Sequence, residues 1–263
     1  MAVDTPAPMV TVAAVVAAAG VAASGGLFGG VPVGAPDSVA AIPILLAPAG
    51  PAFLIWTVIY LGMAALTVWS WTSRGRASTR SRSVLWWVVA SFVLNAAWIA
   101  ATVAGVVWAS TVIIVALLVV LVVLNRTLDR TVPRDHAENI LLDGTMGLYA
   151  GWVSVAAVAN VMQLAVQIGS PAEGIGPTVL SVVLIAALVG WARLAIPRVR
   201  NFQSVLVGLM WGLAWVAVAR FTGPLPSLPV AVAAAVAVVA IVILWIVRDR
   251  DVPARLNRPA STA

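Results

Sequence analysis

Long apolar runs separated by short polar loops set the pattern of this chain. Runs of almost wholly Ala, Val, Leu, Ile, Gly and Trp cover 9–29, 51–72, 84–103, 107–125, 140–166, 177–196, 203–221 and 228–247. A helix that crosses a bilayer needs about 20 mostly apolar residues. Each run therefore predicts one crossing, and the pattern predicts eight. From Val84 to Leu124 the chain is apolar without interruption, too long for one span at a rise of about 1.5 Å per residue. A tight turn at Gly105 divides it into the third and fourth helices.

The polar positions test that count independently. Lys and Arg accumulate on the cytoplasmic side of a membrane protein. Eight crossings put Arg74, Arg76, Arg80, Arg82, Arg126, Arg130, Arg134, Arg193, Arg198, Arg200, Arg248, Arg250, Arg255 and Arg258 on one face, and Arg220 alone on the other. Joining the third and fourth runs into one helix destroys this asymmetry. Both termini are accordingly expected in the cytoplasm. The first run could instead be a cleaved signal peptide, because small residues crowd "VAAAGVAASGG"; its leading segment, however, has Asp4 and no basic residue, unlike a secretory signal. Residues 26–51 form the longest external loop, and the stretch after Val247 is a polar cytoplasmic tail.

Composition confirms the class. Of 263 residues 62% are hydrophobic and 9% charged, with a mean hydropathy of +1.07, against about 25% charged in soluble domains. The fold class is all-α, a polytopic membrane helix bundle. The net charge of +6 is carried by short loops between the crossings rather than by a folded domain surface, which argues against nucleic acid as a partner. Every basic residue is Arg, a usage that fits a GC-rich bacterial genome and a bacterial inner membrane. Cysteine is absent, so thiolate chemistry is excluded.

Few ionisable groups fall inside the runs. Asp143 sits in the first turn of the fifth, where a carboxylate suits the positive helix end; a cap or an interfacial position is expected for it. His136, the only histidine, shares a loop with Asp135 and Glu138, too few ligands for a metal site and read as a solvated charged loop. Twelve Trp are present. Trp69, Trp71, Trp86, Trp87, Trp191 and Trp245 fall near cytoplasmic ends and Trp108 near an external end, as in an aromatic belt. Trp56, Trp98, Trp152, Trp211 and Trp215 lie deeper. Trp56 and Tyr60 are i and i+4; Asn95 and Trp98 are i and i+3; Trp152, Ala156 and Asn160 share one helical face. Such faces suit either a pocket with polar handles or amides that join helices, and on spacing alone helix association is the simpler account. Gly147 and Gly151 form a small-x-x-x-small packing face.

Three segments resemble the TspO/MBR family of translocator proteins and tryptophan-rich sensory proteins. They are "IWTVIY" at Ile55 to Tyr60, "LNAAW" at Leu94 to Trp98 and "LYAGWVSVAAVAN" at Leu148 to Asn160, in the order and spacing of that family's second, third and fifth helices. The resemblance covers roughly 9–166 and implies a five-helix unit over 1–166, three further helices over 167–247 and a tail over 248–263. It also implies a binding or sensory protein for a hydrophobic ligand, a tetrapyrrole such as protoporphyrin or haem, with no cofactor required. By matching position, Trp56 and Trp152 would face the porphyrin, with Tyr60, Asn95, Trp98, Tyr149 and Asn160 completing the wall. The family's Trp-Tyr pair in the first loop and its Pro-Pro before the second helix are missing, and Leu148 stands where a Pro is usual. Two other classes stay open: a secondary transporter of a small apolar metabolite, and a membrane enzyme acting on porphyrin. The expected partners are the bilayer, the ligand and, as a candidate assembly, a second copy of the chain.

Overall fold

A computed structural model describes residues 43–195 and 202–256, together with 9–11, 13–15 and 18. Among these residues the protein is helical and contains no strand. Among the described residues seven helices are long and apolar enough to cross a membrane. We number them α1 (Ile55–Ser70), α2 (Thr79–Val103), α3 (Val107–Leu128), α4 (Thr145–Gln167), α5 (Ile175–Ala195), α6 (Phe202–Thr222) and α7 (Leu228–Leu256). They correspond to the second through eighth apolar runs. The first run lies mostly outside the described residues, but its residues 9–11, 13–15 and 18 are helical.

Local chemistry accounts for the boundaries. The turn between α2 and α3 falls at Gly105, whose φ of 70° is a conformation that glycine reaches without a Cβ clash. Ser78 begins α2, its hydroxyl accepting from the Ser81 amide at 2.9 Å, a standard N-cap. A 3-10 turn, Gly50–Leu54, leads into α1. The crossing formed by the fifth apolar run is longer than the sequence suggests, because the short helix His136–Glu138 and a π-helical turn, Asn139–Gly144, run directly into α4.

The short connections make neighbouring helices antiparallel. The C-terminal ends of α1, α3 and α5 therefore share one end of the bundle with the arginine-rich loops. The N-terminal segment starts at that end too, since Trp71 Nε1 donates to Thr11 Oγ1 at 2.8 Å.

Helix α4 is the axis of the fold. One apolar core joins it to α1, α2 and α3, with Val10 and Ala13; a second joins it to α5, α6 and α7, with Ile44, Leu45 and Leu46. Glycines set the contact between α4 and α6. A Cβ on Gly208 would lie 2.5 Å from the Leu148 carbonyl oxygen and 2.7 Å from the Trp152 nitrogen, and one on Gly151 would strike the Val205 carbonyl oxygen. Two backbones approach this closely only where side chains are missing, as is common where helices associate in lipid by van der Waals packing.

Candidate functional site: an aromatic cluster between four helices

The rings of α1, α2 and α4 converge on Trp56. Its indole stacks on Tyr60 (centroids 5.3 Å apart, planes at 14°) and on Trp98 (5.7 Å, 29°). It meets Tyr149 at 5.8 Å and Trp152 at 6.1 Å edge-on. Phe53, from the turn before α1, adds an edge contact to Trp152 at 5.9 Å. Offset stacks and edge contacts are the arrangements that the ring quadrupole favours, each contributing about 0.5–1.5 kcal/mol beyond area burial. Tyr149 and Trp152 are wholly enclosed, whereas Tyr60 is half-buried.

Amides and hydroxyls border these rings. Tyr60 Oη donates to Asn95 Oδ1 at 3.3 Å, and Tyr149 Oη to the Ser91 carbonyl at 3.5 Å. Asn160 ties three helices together. Its Oδ1 accepts from Trp98 Nε1 at 3.4 Å and from Ser110 Oγ at 3.1 Å, its carbonyl accepts from Thr111 Oγ1 at 3.1 Å, and its Nδ2 donates to the Ala156 carbonyl at 2.9 Å. Two donors in the same region are buried without a partner: Asn95 Nδ2 and Trp152 Nε1. Most buried polar atoms are hydrogen-bonded, so two unmatched donors beside one ring cluster call for an explanation.

All seven residues singled out in the sequence thus lie in one connected group: Trp56, Tyr60, Asn95, Trp98, Tyr149, Trp152 and Asn160. Sequence reasoning missed Phe53, although it stands three residues before Trp56. It also missed Ser110 and Thr111, the only adjacent hydroxyl pair in an otherwise apolar run. The role of α6 was not legible either. Trp211 Nε1 donates to the Ala52 carbonyl at 2.8 Å, and the Trp215 carbonyl accepts from the Ala49 amide at 3.1 Å. These bonds fix the turn that delivers Phe53 and Trp56.

At the arginine-rich end a second polar assembly corrects the reading of Asp143. This carboxylate caps no helix. It lies in the π-helical turn and accepts both Arg80 Nη1 at 2.7 Å and Arg80 Nη2 at 2.8 Å, with both side chains only 3% exposed. Arg80 also donates through Nε to Thr131 Oγ1 at 2.9 Å and through Nη2 to the Leu128 carbonyl at 2.9 Å. Glu138 is buried rather than solvated: it accepts from the Ser78 hydroxyl and, at 2.6 Å, from the Arg134 amide. Helix ends look solvent-facing in a sequence. Here the Arg80 side chain reaches from the start of α2 to the π-helical turn, and the pair is buried. Among the described residues no group of three or more His, Asp or Glu could hold a metal ion.

The aromatic cluster can stack a flat molecule and donate two hydrogen bonds to it. Among the described residues it contains neither a nucleophile paired with a base nor a carboxylate pair. The sequence comparisons bear on what such a cluster serves. No curated protein and no solved structure matches the chain. A family model described as TSPO-like protein matches residues 7–247, so the match extends through α5, α6 and α7 as well as the helices that carry the rings. On that match the chain, a multi-pass membrane protein, belongs to the TSPO-like protein family.

Proposed function

We propose that the protein binds a flat hydrophobic ligand of the tetrapyrrole class between α1, α2 and α4, as a binding or sensory protein of the bacterial inner membrane with both termini cytoplasmic. One observation carries the reading: Trp56 meets four other rings beside two buried donors, Asn95 Nδ2 and Trp152 Nε1, that lack partners. A macrocycle that enters beside Trp56 replaces ring-on-ring contacts by equivalent ones. The net driving force is then burial of the ligand's apolar area and the pairing of the two donors.

A metal-free macrocycle needs no axial ligand, whereas haem iron here would have to take a phenol of Tyr60 or Tyr149 in place of the thiolate or imidazole. No thiolate exists in the chain. The only imidazole, His136, precedes Tyr149 by 13 residues, about 20 Å along a helix axis. Transport driven by an ion gradient has less support, because Arg80 and Asp143 form a closed pair with each other and, among the described residues, no buried carboxylate adjoins the rings.

The test is protoporphyrin quenching of tryptophan fluorescence in detergent, with gel filtration to confirm intact protein. Trp56→Leu and Trp152→Leu each remove an aromatic contact of about 1 kcal/mol or more, a loss of about fivefold or greater in affinity. Trp245→Leu, against Phe202 in the second core, should bind like the parent. If both cluster variants also bind like the parent, or the parent binds no porphyrin, the tetrapyrrole reading fails and the family and architecture remain.

A further inference from the structure

Arg220 has no role in the aromatic cluster and, among the described residues, no acidic partner. It lies in the last turn of α6, at the end of the bundle opposite the arginine-rich loops, and is 4% exposed. Its Nη1 donates to the Leu225 carbonyl at 2.7 Å. Its Nε is buried with no partner, and among the described residues no carboxylate forms a salt bridge with it. Glu173, in the loop between α4 and α5, is exposed and unpaired with it.

The fold supplies Arg220 with the Leu225 carbonyl and the C-terminal end of α6, whose partial charge is negative, but with no full anion among the described residues. The connection after α6 turns back on Arg220, with the Ser227 amide donating to the Arg220 carbonyl at 3.1 Å. Helix α7 begins at the next residue, and α5 begins at the same end of the bundle. Neither has an acidic residue in its first turn. A helix N-terminus carries a partial positive charge, so the start of α7, directly after Ser227, adds one positive end beside Arg220. A buried cation without an anion is unfavourable, and the usual remedy is pairing.

We infer that Arg220 binds a phosphate-type oxyanion, with its Nε edge and the start of α7 as the donor surface. A guanidinium fork matches phosphate oxygens in pairs, and a helix N-terminus is a recurrent partner for the same group. The oxyanion comes either from a phospholipid head group or from free phosphate. The apolar residues bordering this end favour the lipid: Phe221, Leu228 and Ile175 are exposed, as residues that meet acyl chains are. The site faces the second core, on the side of α6 away from Trp211. It is therefore separate from the tetrapyrrole reading and survives or fails independently of it.

The experiment uses the purified full chain, the variants Arg220→Gln and Arg220→Lys, and Arg130→Gln as a control for general charge at the opposite, arginine-rich end. Lipid retention is measured by native mass spectrometry after reconstitution with equimolar phosphatidylglycerol and phosphatidylcholine. In a second arm, thermal stability of delipidated protein is followed while sodium phosphate replaces sodium chloride at constant ionic strength. The parent and Arg130→Gln should retain the anionic lipid selectively, and Arg220→Gln should bind it about tenfold or more weakly, as loss of a charge-assisted bond implies. Arg220→Lys should fall between them. A response to phosphate alone, lost in Arg220→Gln, keeps the site and assigns it to the free ion. If Arg220→Gln does not fold, the parent and Arg220→Lys decide. A parent with no selective response in either arm, or one shared equally by all variants, overturns the proposal.

Discussion

Asp143→Leu separates a structural pair from a surface one. Arg80 makes four hydrogen bonds, two of them to Asp143, inside a region where both side chains are 3% exposed. Removing one partner of a buried pair typically destabilises by about 3–5 kcal/mol, because the other charge stays buried. Thr131 Oγ1 and the Leu128 carbonyl still accept from Arg80, so the expected loss lies near the lower bound, about 3 kcal/mol. Arg80→Met combined with Asp143→Leu removes both charges and should be less destabilised than Asp143→Leu alone, with a coupling of about 2 kcal/mol, inside the range for contacting residues. The assay is equilibrium unfolding in mixed micelles of mild detergent and dodecyl sulfate, read by tryptophan fluorescence. An Asp143→Leu protein within about 0.5 kcal/mol of the parent would match a surface pair and would refute the buried pair. So would a double variant whose loss is the sum of the two single ones.

Two further outcomes follow from the geometry. Gly208→Ala places a methyl group 2.7 Å from the Trp152 nitrogen, and overpacking of this kind costs about 1–3 kcal/mol; because Trp152 must shift, porphyrin quenching should weaken together with stability, whereas Gly190→Ala, where a Cβ meets nothing within 4 Å, should leave both unchanged. A reporter fused after the last residue should be active only in the cytoplasm, as should one fused in the loop that holds Arg76; activity of either on the far side of the membrane would invert the topology.

The sequence by itself determined the membrane class and the order of the crossings, because burial in lipid acts on each apolar run separately and requires no knowledge of neighbours. The seven residues of the candidate site were marked by the family resemblance; i, i+3 and i+4 spacings put six of them on shared helical faces but did not separate a pocket from helix association. Which faces meet depended on tertiary structure. Lipid tails are as apolar as the helices, so hydrophobicity gives no direction to their association, and close approach and shape decide it. Contacts between distant segments were for this reason not legible: Gly151 against Gly208, Trp211 holding the turn that carries Phe53, and Asn160 joined to Ser110 and Thr111. Asp143 shows the same limit most sharply. Its position in the chain suits an exposed helix end, and only the fold brings Arg80, 63 residues earlier, to the π-helical turn that holds it and buries the pair.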